Sequence, residues 1–462
     1  MWFCRTDRVA SGCRSMMTAY GEIVTTYVPS VWLRQLPAAN PCLAADLICD
    51  VVVIGAGYTG LSAAIALGQA GVDVVVIESQ YAGFGASGRN AGHLTPTIGK
   101  DLPSVLKIYG RETGSQLARL ADAAVEHTEA MISQHRIDCD YLAHGNIIAG
   151  IHPGHEERLR AATAAARELG AAVRMLERDE LDARGIPNFV NCAALEERGG
   201  VLDPGKYVLG LRAAAIASGA KLFENTPALE VIEHRRGVLI DTPTGSVSAR
   251  TAIIATNAHT PQLGLRYGNV TPVNDCMFVT EPLTPEQRER IGWGGAEGIY
   301  TAHESLENYR LTADGRITGG SRHIRYRWGG GFLADHQPRA FAKIEGHFRD
   351  RFPELDDVAI AGSWSGHVAM NLNFLPFIGK VGKHQNLVAS LGYCGHGVAL
   401  AGFLGTVAAD MATAGAEAPS VLAKRRRLPM PPDPLRWIGV HAITAALGAV
   451  DRRTDRLATP RH

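Results

Sequence analysis

A chain of 462 residues with 46% hydrophobic and 20% charged residues has room for two or three domains of about 100–200 residues each, and the make-up of a globular protein with a large core. Lys plus Arg and Asp plus Glu both total 46, so no net charge draws the chain to nucleic acid or to an acidic surface. The eight cysteines (Cys4, Cys13, Cys42, Cys49, Cys139, Cys192, Cys276 and Cys394) are scattered without a C-x-x-C pair, which reads as reduced thiols in a cytoplasmic protein.

Met1–Met16 has no apolar run of signal-peptide length, and Met16-Met17 offers a later start. Residues 1–45 read as an arm, broken by Pro29, Pro37 and Pro41. The apolar run Asp50-Val51-Val52-Val53-Ile54 then predicts a strand buried on both faces of a parallel sheet. It leads into Gly55-Ala56-Gly57-Tyr58-Thr59-Gly60, a helix over Leu61–Gln69 with a stop at Gly71, and a second strand, Val72–Ile77, that ends at Glu78. In this βαβ context the G-x-G-x-x-G spacing is a dinucleotide fingerprint. Gly55 makes the tight turn, Gly57 admits a pyrophosphate to the backbone, and Gly60 lets helix and strand pack closely. Tyr58 and Thr59 lie in this turn just ahead of the helix, whose free N–H groups and positive dipole end favour phosphates. Glu78 offers acceptors to ribose hydroxyls and repels a 2′-phosphate, which disfavours NADP.

The fingerprint does not separate NAD from FAD. A second glycine-rich loop favours FAD: Gly83–His93, with Ser87, Gly88, Arg89, Asn90, Ala91 and Gly92, suits a second long cofactor element whose pyrophosphate Ser87 and Arg89 could reach, the alternative being a flexible surface loop. Helices are expected over 104–134, 154–169, Tyr207–Ala217 and Arg339–Phe352, with strands near Lys221–Phe223 and Ile253–Thr256. Residues 271–333 lean to β-structure, with turns at Asp314-Gly315 and Gly329–Gly331, and a third glycine-rich region covers 362–405. The expected division is a discontinuous cofactor domain (46–110, 195–270, 355–425), a substrate domain (111–194, 271–354) and a helical tail (426–462). Lys424–Arg427 reads as a solvated helix end. The apolar stretch Leu435–Val450, at 16 residues, is too short to span a bilayer; it suits packing on its own domain or a partner subunit, or peripheral contact with a membrane.

Five segments in order, Gly85–Gly92, Val279–Leu283, Asn308–Gly320, Trp364–Gly379 and Gly392–Ala401, resemble the D-amino-acid oxidase/glycine oxidase family of FAD-dependent oxidoreductases, and within it the γ-glutamylputrescine oxidase-like branch. The likeness runs from residue 46 to 415. It implies an α/β (α+β) fold: a Rossmann-type FAD-binding domain and a substrate domain with an antiparallel β-sheet. It places Ala228 at the adenine end of FAD, Ala255 and Thr256 where the site closes, and Gly395, His396, Gly397 and Val398 at the flavin's pyrimidine edge. There a helix N-terminus favours the anionic reduced ring. The implied chemistry is hydride transfer from a carbon beside an amine nitrogen to flavin, imine hydrolysis, and reoxidation by O2 or another acceptor.

Departures from the family pattern narrow the substrate. Ala399 stands where sarcosine oxidases carry a carboxylate-binding lysine, and Thr312-Ala313 stands where glycine oxidases carry the corresponding arginine. Gly366 falls at the cysteine that tethers flavin in the sarcosine enzymes, so FAD is expected to be non-covalent. These changes favour a polyamine, a γ-glutamylated amine or another secondary amine. An FAD-dependent 2-hydroxy-acid dehydrogenase and a flavin-binding electron-relay subunit are the alternatives. His93, Trp364, His367 and Arg322 are the candidate catalytic residues, each weighed against core packing or an ordinary ion pair, and Arg310 or Arg322 is a candidate for a distal carboxylate. His152 and His155 lack the companions of a metal site, and no metal is expected.

Overall fold

The computed structural model describes residues 30–265, 269–423 and 428–458. Leu47–Ile54 is the central strand of an eight-stranded sheet, with Val51 to Ile54 almost wholly buried. It pairs in parallel with Val74–Ile77 on one side and Gly245–Ile254 on the other. Lys221–Phe223 extends one flank in parallel; Leu387–Leu391, and then antiparallel Phe377–Val381, extend the other. Glu230–His234 and Gly237–Thr242 add an antiparallel hairpin on Gly245–Ile254.

Helix Tyr58–Gln69 packs between Pro204–Ala217 and Gly397–Thr413. It begins three residues before the expected Leu61, because the turn at Gly55–Gly57 already delivers helical geometry. A Cβ at Gly405 would lie 2.3 Å from the Thr59 carbonyl oxygen, so glycine is what allows the two helices to cross this closely.

The second sheet also has eight strands, ordered Ile360–Met370, Thr271–Thr280, Ile317–Ser321, Glu307–Leu311, Gly298–Thr301, Asn146–Gly150, Cys192–Glu196 and Val173–Leu176. Its pairings are antiparallel except between Gly298–Thr301 and Asn146–Gly150. Phe341, Ile344 and Phe348 of helix Pro338–Arg351 cover one face together with Phe278, Tyr309 and Phe352.

The expected segment boundaries differ from this arrangement in two places. Helix Leu102–Gln134, assigned largely to the substrate domain, buries Leu117, Ala121, Ala124 and Val125 in the core of the first sheet's helices. Ile360–Met370, assigned to the cofactor domain, pairs along its length with Thr271–Thr280. Both memberships depend on partners distant in sequence, which local composition does not reveal.

The tail forms one helix, Leu435–Arg456, joined to the second sheet by buried charges. Arg322 and Arg351 both pair with Glu307 and with Asp455 of this helix. Burial pulls the Asp455 carboxyl upward, but bonds from His303, Arg322 and Arg351 hold it well below the usual carboxylate range. This corrects the expectation for Arg322: two carboxylates already engage its guanidinium, so it serves neither catalysis nor a substrate carboxylate. His303, Glu307 and Asp455 approach one another as metal ligands would, but the two guanidiniums already neutralise the acids. Replacing Glu307 with Gln strands two buried cations on one remaining acid. Stability is expected to fall by about 3–5 kcal/mol, measured by denaturant unfolding at fixed cofactor saturation.

Candidate functional site

A cavity of about 360 Å³ opens at the carboxyl ends of Leu47–Ile54, Val74–Ile77 and Gly245–Ile254, the usual ligand position in an α/β sheet. Two helix N-termini face it. Gly57, Tyr58 and Thr59 begin one helix; Gly395, Gly397 and Val398 begin the other. The amide-bearing, positive dipole ends of two helices thus converge on one space, a setting for anionic groups. A Cβ at Gly57 would lie 2.9 Å from Ser87 Oγ, which accepts from the Tyr58 amide at 3.0 Å. Gly60 does not reach the cavity: it packs on Gly55, whose carbonyl oxygen would lie 1.9 Å from an added Cβ.

Glu78 lines the cavity and braces the glycine turn. One carboxylate oxygen accepts from the Ala56 amide (2.8 Å), the other from the Gln80 amide (3.1 Å) and Ser79 hydroxyl (3.0 Å). Burial pushes its pKa up, and these bonds partly oppose that. Ala228, Ala255 and Thr256 also line the cavity.

The second glycine-rich loop divides by direction. Ser87 and Asn90 face the cavity, and the Asn90 side-chain amide donates to the carbonyls of Ala86 (3.1 Å) and Ser87 (2.9 Å). Arg89 turns the other way. It donates to the carbonyls of Phe84 (2.8 Å) and Ser365 (3.0 Å) and pairs with Asp335 at 3.1 Å, so it clamps the loop to the second sheet and does not reach toward a pyrophosphate. Gly88 packs against Leu33, the Ala91 carbonyl accepts from Arg310, and the Gly92 carbonyl accepts from the Leu202 amide.

The candidate catalytic residues separate in the same way. His367 lines the cavity; its Nε2 accepts from the Leu333 amide at 3.2 Å and its ring stacks on Phe332 at 4.2 Å. Burial lowers its pKa to about 4, with a further contribution from His259. His259 is a wall residue that sequence reasoning missed: it sits in the 3-10 turn after Thr256 and is likewise lowered to about 4 by burial. Trp364 is fully buried behind the loop, donating to the Arg89 carbonyl at 2.9 Å and meeting the Trp32 ring edge-on at 5.9 Å, so it is a packing residue. His396 is absent from the wall because its ring spans Thr97 (2.9 Å) and the Gly99 carbonyl (3.2 Å).

His93 lies just beyond the loop. Its Nδ1 meets Asn146 Oδ1 at 2.9 Å, and because the Asn146 amide already donates to Leu94 and Gly200, that nitrogen carries the proton. The buried Nε2 therefore holds a lone pair, without a partner among the described residues. Burial lowers its pKa to about 4. Tyr300 stands edge-on to this ring, and nearby Glu196 has its carboxyl pushed up to about 7 by burial.

Among the described residues the wall carries no lysine or arginine; Glu78 is its charged side chain. Its cysteine, Cys394, donates to the Gly392 carbonyl at 3.2 Å, and burial pushes the thiol to about 12, which keeps it protonated.

Residues 50–411 match the family model described as DAO: FAD dependent oxidoreductase. Gamma-glutamylputrescine oxidoreductase of Escherichia coli (strain K12) is 30% identical over 397 residues, covering 84% of this chain and 88% of that protein. The probable oxidoreductase OrdL of Rhizobium meliloti (strain 1021) is 28% identical, covering 86% and 90% respectively. The crystal structure of glycine oxidase from Geobacillus kaustophilus superposes with a TM-score of 0.69 at 20% identity, covering 82% of this chain and 100% of that one.

Glu196 supplies a pH test of the His93 cluster. The folded protein keeps its proton up to about pH 7, whereas an unfolded glutamate loses it near the ordinary value of 4.5. Stability from this group is therefore present at low pH and is lost as pH rises from 4.5 through 7. Glu196→Gln is expected to raise stability at pH 8 by up to about 3 kcal/mol and to change it little at pH 4.5, read from unfolding curves at the two pH values.

Proposed function

The chain belongs to the DAO family of FAD-dependent oxidoreductases, and from that premise we propose that it oxidises the carbon–nitrogen bond of an amine to an imine, which water opens to a carbonyl compound and a shorter amine. FAD, when bound, supplies the acceptor for the hydride leaving the carbon beside nitrogen, and O2 is the proposed final oxidant.

The cavity suits this cofactor because glycines 55 and 57 leave the backbone bare and two helix starts present amides to one space. We assign Gly55, Gly57, Thr59 and Ser87 to the pyrophosphate, Glu78 to a ribose, Ala228 to the adenine end, and Gly397 and Val398 to the flavin end. Cys394, held as a buried thiol, is a poor tether, which supports non-covalent binding. Phe332 and Leu333 close over His367 and help exclude water. With pKa values near 4, His259 and His367 are neutral at pH 7 and do not repel a protonated amine.

The family's two carboxylate-anchor positions support the substrate assignment, because neither holds a lysine or arginine here. Ala399 is buried in the helix start and Thr312-Ala313 occupies a tight turn, so neither anchor position offers a cation. A small α-amino acid would bury its carboxylate without recovering the desolvation cost. An amine whose charge lies several bonds from the oxidised carbon avoids this, and the name of the Escherichia coli relative points to a γ-glutamylated diamine.

Anaerobic loss of visible flavin absorbance tests the assignment. A γ-glutamylated diamine is expected to reduce the flavin faster than sarcosine, glycine or D-alanine; fastest reduction by sarcosine overturns the reading from missing anchors, and reduction by 2-hydroxy acids alone makes the chain a hydroxy-acid dehydrogenase. Acid precipitation should leave the flavin in the supernatant. Glu78→Ala removes a charged acceptor worth about 1.5–3 kcal/mol, so titration of the apoprotein should show FAD bound roughly tenfold to a hundredfold more weakly.

A further inference from the structure

The C-terminal helix Leu435–Arg456 is fastened to the protein by polar groups near its two ends. Asp451 is its buried side chain, and it accepts from the amides of Glu304 (2.9 Å) and Ser305 (3.1 Å). Asp455, one turn on, belongs to the ion network with Arg322 and Arg351. At the other end Asp433 accepts from the Tyr326 hydroxyl (2.9 Å) and the Trp437 amide (3.0 Å), and the Arg436 guanidinium lies over the Tyr326 ring at 5.8 Å. Polar anchors thus hold the helix at both ends.

Its outer side is apolar. Leu435, Ile438, Ile443 and Val450 are 63%, 53%, 60% and 51% exposed, with exposed alanines between them. No Asp, Glu, Lys or Arg interrupts the sequence from Trp437 to Val450. Trp328, 57% exposed, stands beside Trp437 at 6.2 Å and widens the patch. A helix resting on a soluble domain normally keeps its large apolar side chains on the inward stripe and does not leave four of them exposed.

Charge selects what covers this face. Exposed Arg452, Arg453 and Arg456 follow it in the last turns of the helix. The acids of the segment are engaged inward, and neighbouring Glu304 is paired with Arg158 at 3.1 Å. A second copy packed in parallel would set this basic end against its own. An anionic lipid surface complements the basic end and takes up the apolar stripe beside it. We propose that this helix docks the protein on an anionic membrane surface, lying in the interface; no helix among the described residues is long and apolar enough to cross a membrane.

Co-sedimentation of the flavin-loaded full chain with phosphatidylcholine vesicles, and with mixed phosphatidylcholine/phosphatidylglycerol vesicles, tests this independently of substrate. Binding is expected to the mixed vesicles and to weaken with added salt. Ile443→Glu should lower it at least about tenfold, and Arg452→Ser/Arg453→Ser about tenfold or more. The thermal unfolding midpoint and flavin absorbance should stay unchanged, since Ile443 projects into solvent. Binding that Ile443→Glu leaves intact overturns the proposal. So does absence of vesicle binding, whether light scattering then gives a monomer or a dimer that Ile443→Glu dissociates, the latter assigning the face to a second copy.

Discussion

Where helix Gly397–Thr413 crosses Tyr58–Gln69, Gly405 lies against the Thr59 carbonyl with no room for a side chain. That contact brings two helix starts, more than 300 residues apart in sequence, to the rim of one sheet. The Tyr393 hydroxyl reinforces it, bonding Thr59 at 2.7 Å and Ser390 at 2.9 Å. The cavity therefore receives its positive potential from peptide groups, and among the described residues its wall has no lysine or arginine. Peptide dipoles are fixed by the fold and need no side-chain ordering when a ligand arrives.

The loop between the two sheets depends on that frame and is held from several sides. Arg89 and Trp364 tie it to Ile360–Met370. The N-terminal arm reaches it through the Ser30 hydroxyl on the Gly88 carbonyl (2.5 Å) and the Trp32 indole on the Asn90 carbonyl (2.9 Å). Glu224 accepts from Asn40, Ala82 and Arg212, fastening arm, loop and helix Pro204–Ala217 together. The conspicuous side chains of the loop and its surroundings thus set its shape, while smaller groups face the cavity.

This division explains what the sequence disclosed. The first βαβ unit was legible because its signals are local: a doubly buried strand, a glycine turn and an acid at the next strand's end. Gly57, Glu78 and Ser87, expected from the same local signals, line the cavity. The directions of Arg89, Trp364 and Arg322 could not, since each is decided by partners such as Ser365, Asp335 or Asp455 on distant segments. The strand Ile360–Met370 was misassigned on the same account: its pairing with Thr271–Thr280 is long-range. The length and helicity of the tail were readable, but its orientation rests on Asp451 and Asp455, which a hydropathy pattern counts as solvent-facing.

The central claim is that one FAD is held by both helix starts at once. Hydrogen exchange of the apoprotein titrated with FAD tests it most directly, because it reads the amides themselves. Peptides covering Gly55–Gly60, Phe84–Asn90 and Gly392–Ala399 should all gain protection with the same dependence on FAD concentration. Protection confined to Gly55–Gly60, with the start of Gly397–Thr413 exchanging as before, would contradict the account.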